Sequence, residues 1–430
     1  MTRATLLSRR IVLAGLALTI VATRHAHGQS PLDASSLGVQ ADTGQDQSQA
    51  LQAAMDQAAS TGQLLRLPPG VIEITELRIP GNLAVEGVPG RTELFVIAGG
   101  AGISIGASAV TLREIGFSGG EVALTVFASD AITLERCRFR AASVGLGIDD
   151  AAVAVRDCAF TDIGDAAIHA INSRGVMASG NRIERCGNAG IRIWRDEGGP
   201  DGSIISGNRI GTIGWVGGGN GQNGNGVNVF NADNVIVADN HIADCAFTAV
   251  RLNATRDNQV SGNVCLHSGE VAIFSEFGFS GSVIANNIID DAATGISITN
   301  LDTGGQLAVC TGNLVRNISP ASAVNPDTIP IGIFAEADTA ITGNSVQNVP
   351  GVAIGAGFGE FLRNVVIDGN MVSDSTIGIG VSVVEGAGSV IIGDNLVDAS
   401  QHAVVGLAWT EVVETDLLGN AERYSNVTLS

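Results

Sequence analysis

A short segment that keeps returning constrains this chain more than any other feature. Ile132-Thr133-Leu134-Glu135-Arg136-Cys137-Arg138-Phe139 recurs as Val153 to Phe160 and again as Val176 to Ile183. Its sixth position then reads Asn181, Asn208, Asn240, Asn263, Asn287, Asn313, Asn344, Asn370 and Asn395, each preceded by Gly, Asp or Asn. Earlier copies carry Ile115, Cys137 and Cys158 in that column. Spacings run from 21 to 32 residues. Within each copy apolar residues alternate with variable ones, the period of a strand, and small residues punctuate the turns. One such unit cannot bury its own apolar face, so neighbours must stack. The pattern predicts an all-β chain: a single right-handed parallel β-helix of about 12 coils, with the asparagines stacked in a hydrogen-bonded ladder. Helical solenoids have longer repeats and need less glycine.

Composition agrees. The 430 residues include 57 glycines and only 15% charged residues, which suits a stack of tight turns around an Ile/Val core. Length alone would suggest several domains; the uninterrupted repeat argues for one solenoid. Lysine is absent, so all 23 basic residues are arginine and any mechanism needing a lysine base, Schiff base or phosphate-loop lysine is excluded. The net charge of −20 makes nucleic acid an unsuitable partner.

Ser8-Arg9-Arg10, with Leu13 placed as in S-R-R-x-x-L, precedes an apolar run from Ile11 to Ala22, and Ala26-His27-Gly28 has the small residues of a cleavage site. This resembles a twin-arginine export signal. The run is too short to be a permanent membrane anchor. The reading is a signal peptide over 1–28, a cap and first coils over 29–109, and the β-helix repeats over 110–430. Removing the signal's four arginines takes the net charge to −24, as the segment holds no acid. The expected location is the periplasm or the exterior. Because slow parallel pairing is reason enough to fold before export, no cofactor is inferred.

At the N-terminus, Asp46 to Ala59 has a helical apolar face (Ala50, Leu51, Ala54, Met55, Ala58) with Gly62 as its stop. This is the expected cap over the open end of the solenoid. Gly38-Val39-Gln40-Ala41-Asp42, this helix, and Leu67-Pro68-Pro69-Gly70 resemble the start of the pectate-lyase-like single-stranded right-handed β-helix superfamily. Joined to the Arg-Arg signal and the Gly-Asn repeats, the chain resembles the twin-arginine-translocated β-helix repeat proteins. That resemblance implies the fold and export, and it carries no established reaction.

Candidate site residues come from aligning the strand that opens each later part of a coil. Ala167-Ile168-His169-Ala170, Gly190 to Trp194, Gly226 to Phe230, Ala249 to Asn253 and Ala272 to Glu276 place Ile or Val inward and the residues between them outward. One outward column then holds His169, Arg192, Asn228 and Arg251. A parallel one holds Trp194, Phe230, Asn253 and Glu276, with Asp196 in the turn beyond. A polar strip with an aromatic edge suits a polysaccharide, and its arginines suit an anionic one. The candidate catalytic residues are His169, Arg192, Arg251 and Glu276; the candidate substrate-binding residues are Trp194, Asp196, Asn228, Phe230 and Asn253. Lyase or C5-epimerase chemistry on uronates would use a histidine base. The His169–Arg192 pair resembles that of mannuronan C5-epimerases, whose D-P-H-D motif is absent here. The alternative is a non-catalytic polysaccharide-binding or envelope scaffold. The glycine-rich insertion Gly214 to Gly226 is either a cover for this strip or a tolerated surface loop. No metal site is expected: the six cysteines form no C-x-x-C pair for zinc, and the acidic turn residues Asp196, Glu197 and Asp201, where calcium is conceivable, carry no regular G-G-x-G-x-D ligand repeat. Cys137 and Cys158 share a column and are read as buried thiols, with a disulfide as the other possibility. Oligomeric state is open.

Overall fold

The computed structural model describes residues 30–219, 221–299 and 305–430; the signal segment expected over 1–28 lies outside them. The chain winds into a parallel β-solenoid of about 14 turns with one helix near its N-terminus. Two of those turns precede the first recognisable repeat. The strand pairs Leu65↔Val85 and Leu83↔Val110 extend the same sheet backwards, without an asparagine column to announce them.

Each coil has three faces. The first face is a sheet of 16 strands, running from Leu32–Asp33 to Val427–Leu429. The other two faces form the second sheet, and in later coils they merge into long bent strands such as Val264–Glu276. The core is the stack of inward residues: Ile168, Ile191, Val227, Val250, Ile273 and Ile296 are all fully buried. In the early coils Phe117, Phe139 and Phe160 stack with ring centroids 5.1 and 4.5 Å apart.

The asparagine ladder is continuous. Each Asn Nδ2 from Asn181 to Asn370 donates to Oδ1 of the next, at 2.9 to 3.0 Å. The same Oδ1 accepts the backbone N–H of the asparagine one coil earlier. The residue before each asparagine turns through the left-handed region, as at Gly180 (φ 67°), Asp239 (φ 56°) and Asn286 (φ 57°). That requirement explains why Gly, Asp or Asn precedes the column. Below the ladder Cys137 and Cys158 take the same place, and Cys137 N–H points to Cys158 Sγ at 3.4 Å. All six cysteines are buried free thiols. Burial pushes the thiols of Cys186, Cys265 and Cys310 up to about 12, so they are unreactive.

The helix Ser48–Thr61 buries Leu51, Ala54, Met55 and Ala58 and ends at Gly62 (φ 68°). Its Gln52 side chain accepts from Arg78 N–H (3.0 Å) and donates to Arg78 C=O (2.9 Å), so the helix pairs a strand that would otherwise be an open edge.

Candidate functional site

Strand register brings the two outward columns together on the third face. His169 pairs with Arg192, Arg192 with Asn228, and Asn228 with Arg251. In parallel, Trp194 pairs with Phe230, Phe230 with Asn253, and Asn253 with Glu276. Trp194, Asn228, Phe230, Arg251 and Asn253 line one cleft of about 270 Å³, closed by Gly221, Gln222 and Phe277. Its aromatic wall is built edge to face: the Trp194 ring meets Phe230 at 6.3 Å and His169 at 5.1 Å between centroids. Trp194 Nε1 donates to Asn228 Oδ1 (3.2 Å), which fixes the indole plane. Phe230 is 37% exposed.

The strip is not the open polar face that the alternation suggested. Arg192, Asn228, Arg251 and Glu276 are all buried, with relative exposures of 4%, 3%, 6% and 4%. Pointing away from the core does not mean reaching solvent: residues 221–223 of the insertion lie against Arg192, Asn228 and Arg251, and Glu276 is buried against Arg251 and Asn253. Arg192 makes a two-pronged pair with Asp165 (Nη1–Oδ2 2.9 Å, Nη2–Oδ1 3.0 Å), and its Nη2 also donates to Asn223 of the insertion (2.8 Å). Its guanidinium lies 5.0 Å from the Trp194 ring centroid. Gly217 N–H donates to Asn188 Oδ1 (2.6 Å), and Trp215 packs on Phe247 at 5.0 Å between centroids. The insertion is therefore a built cover.

Arg251 has all three nitrogens engaged. Nε and Nη2 donate to Glu276 (2.6 and 2.8 Å) and Nη1 to Glu270 (3.1 Å), while its guanidinium sits 5.0 Å from the Phe274 ring centroid. Asn253 Nδ2 also donates to Glu276 Oε1 (2.7 Å). The two arginines expected to bind a ligand carboxylate are thus neutralised by the protein's own carboxylates. Asp196, expected in a turn, is exposed on the long strand Ala189–Pro200, joined to Asn172 (2.8 Å), and does not line the cleft.

The chemistry of the expected base is also constrained. Burial and the charge of Arg192 hold His169 below the ordinary histidine value, against the pull of Asp165. Its Nε2 is buried and has no hydrogen-bond partner among the described residues. Burial alone would raise Asp165. Hydrogen bonds from Arg192 and Asn188 and the charges of Arg192 and His169 outweigh it and leave Asp165 below the usual carboxylate range. Asp165, Glu270 and Glu276 are each held in an ion pair with an arginine of the same face.

A second depression continues the same columns towards the C-terminus. This groove, of about 420 Å³, is lined by Phe274, Ser297, Phe334, Ile331, Leu407 and Trp409 among others. One wall is the excursion 319–330, pinned by Asn325 Nδ2 to Glu270 (2.8 Å) and by Thr294 Oγ1 to Ile329 C=O (2.6 Å). The outward column of Arg251 continues through Phe274 and Ser297 to Phe334, but Trp409 comes from a tail outside the repeat.

Residues 101–219 and 144–314 match the family model described as a right handed beta helix region. This part of the chain is a right-handed parallel β-helix. Among solved structures, the enzymatically active domain of tailspike protein 2 of bacteriophage CBA120 aligns at TM-score 0.50 and 12% identity, over 66% of this chain and 48% of that one. PfbA, a surface adhesin of Streptococcus pneumoniae, aligns at TM-score 0.46 and 13% identity, over 84% and 91%. The A-module of a mannuronan C-5 epimerase of Azotobacter vinelandii aligns at TM-score 0.38 and 14% identity, over 93% and 98%. No curated protein matches the sequence. At these identities the likeness is one of fold alone.

Proposed function

We propose that this protein binds carbohydrate in the Trp194–Phe230 cleft without transforming it, as an exported β-helix carrying a twin-arginine signal. The observation that carries the reading is the cleft itself: aromatic planes with exposed area, beside the amides of Asn253 and Gln222, in a recess of about 270 Å³. Aromatic faces stack on the apolar faces of sugar rings, and amides bond their hydroxyls. The anionic character expected of the ligand loses its footing, because Arg192 and Arg251 face three carboxylates of the protein. An uncharged stretch of polysaccharide fits better. Lyase or epimerase chemistry is disfavoured for the same reason, together with the buried Nε2 of His169.

The test is a panel of neutral and uronate polysaccharides presented to the protein. Binding to a neutral member, lost in Trp194→Ala and weakened roughly tenfold (about 1.4 kcal/mol) in Phe230→Ala, supports the reading. Ultraviolet absorbance from an unsaturated uronate product, or solvent deuterium in a uronate product, would overturn it.

A further inference from the structure

The Trp194–Phe230 cleft and the groove beyond it share one wall. Arg251 lines the cleft, Phe274 lines the groove, and the two stack with the guanidinium 5.0 Å from the ring centroid. Register carries both outward columns across that wall. Arg251 pairs with Phe274, Phe274 with Ser297 and Ser297 with Phe334, while Asn253 leads through Glu276 to Thr299. The step from Arg251 to Phe274 is one coil, ~4.8 Å, so the two recesses are neighbours on the rod. Past Phe334 the column drops to Gly355 and Gly380. A Cβ at Gly355 would stand 2.9 Å from the Phe334 ring, and one at Gly380 2.9 Å from Leu407. The missing side chains let Phe334 and Leu407 lie across the face and hollow out the groove.

The two recesses differ in chemistry. The cleft sets amides beside its aromatic rings. The groove turns its polar groups into its own walls. Thr294 Oγ1 donates to Ile329 C=O (2.6 Å), the Ser297 and Thr299 hydroxyls bond each other (2.6 Å), and Asn325 Nδ2 donates to Glu270 (2.8 Å). Glu270 is held in turn by Arg251 and Thr248. Phe274, Phe334, Ile331, Leu407 and Trp409 are left to face the space. Trp409 is 45% exposed and meets Phe358 at 5.0 Å between ring centroids. A sugar buried here would leave hydroxyls unpaired over most of the surface, whereas a hydrocarbon chain would not. Among the described residues no arginine or histidine lines the groove, and Glu270 and Asp327 do. A fatty-acid carboxylate or a phosphate would therefore meet like charge and no cation.

We infer that the site takes a neutral glycolipid: a glycan in the Trp194–Phe230 cleft whose hydrocarbon chain crosses the Arg251–Phe274 wall and lies in the groove, over Phe334 and against Trp409. The inference rests on the carbohydrate reading of the cleft and adds the chemistry of what the sugar carries. Continuity of the two recesses along shared columns selects one amphipathic ligand over two unrelated ones. Charge selects an uncharged one, because the arginines of the cleft are paired with the protein's own carboxylates and the groove has none. Volume permits it: the groove holds about 420 Å³, within the span of roughly 300–1,000 Å³ of apolar small-molecule sites.

Isothermal titration calorimetry of the full chain tests it, with methyl, hexyl and octyl β-glycosides of glucose, galactose and mannose held below their micelle-forming concentrations. For a head group that binds, affinity is expected to rise about fourfold per methylene, the gain from burying a CH₂ group. In Phe334→Ser that rise should vanish while the methyl glycoside binds as in the wild type. Trp194→Ala should instead weaken every member of the series by the same factor. If Phe334→Ser fails to fold, Trp409→Ala, in the tail outside the repeat, reads the same loss. A head group that binds with an affinity indifferent to chain length, or a rise that survives both groove substitutions, would overturn the glycolipid and leave the carbohydrate reading standing. Glycosides that bind no better than octanol would also overturn it, and the polysaccharide panel then decides the reading of the cleft by itself.

Discussion

Arg251 and Glu276, one coil apart in adjacent columns, form a two-pronged ion pair with side chains 8% and 5% exposed, and Glu270 completes a triad at 3.1 Å. A buried cluster of this kind is strongly destabilising to break and contributes little when replaced whole. Arg251→Met, which strands two carboxylates, is expected to cost about 3–5 kcal/mol in urea denaturation. Adding Glu270→Gln and Glu276→Leu should recover most of the loss. A single Arg251→Met with an unchanged midpoint would contradict the triad's role.

His169 predicts a pH dependence. Its folded-state pKa lies below the unfolded value of about 6.5, owing to burial and to Arg192, so the unfolded chain takes up the proton first as pH falls. The stability contribution is present above about pH 6.5 and is lost as pH drops through the folded value. Relative to His169→Gln, the wild type should therefore lose denaturation midpoint between pH 7 and 5 (a span set around the ~6.5 reference). Parallel curves for the two proteins would exclude a depressed His169.

The ladder predicts a positional gradient. Asn263 Nδ2 donates to Asn287 Oδ1 (3.0 Å) and Val237 C=O (2.9 Å), and its Oδ1 accepts from Asn240 N–H (3.0 Å). Asn263→Ala leaves several buried groups unpaired, at about 1–3 kcal/mol each. Asn395 stands at the ladder's end and only Asn370 depends on its Oδ1. Asn395→Ala should cost less than half as much, measured as the shift in chemical-denaturation midpoint.

Gly221 predicts the insertion's coupling to the cleft. Its φ is 130°, and a Cβ there would run into the Arg251 guanidinium, which Glu270 and Glu276 hold in place. Gly221→Ala is expected to displace the cover and weaken carbohydrate binding while the far-UV spectrum stays that of a β-helix. Retained affinity would show that the cover and cleft are independent.

Local alternation and the repeated asparagine were enough to place His169, Arg192, Asn228 and Arg251 in one column and Trp194, Phe230, Asn253 and Glu276 in the next. Each depends only on strand period and register, and a one-residue slip would turn every side chain over. The helix over Ser48–Thr61 was legible because its apolar face and Gly62 are local signals. The coils expected within 29–109 could not be counted, since Leu65 and Leu83 carry no ladder residue, and the expected 12 coils became about 14 turns.

What the sequence determined by itself is periodic: the solenoid, its inward Ile and Val, its ladder and its outward columns. Those follow from chain geometry repeated coil by coil. What only the tertiary structure decided is the electrostatic state of the columns. Asp165, 27 residues before Arg192, and Asn223, 31 residues after it, meet that guanidinium through the path of a turn and an insertion that obey no period. Burial and pairing depend on which distant groups arrive at a point in space, so an arginine read as a ligand-binding charge became part of the wall.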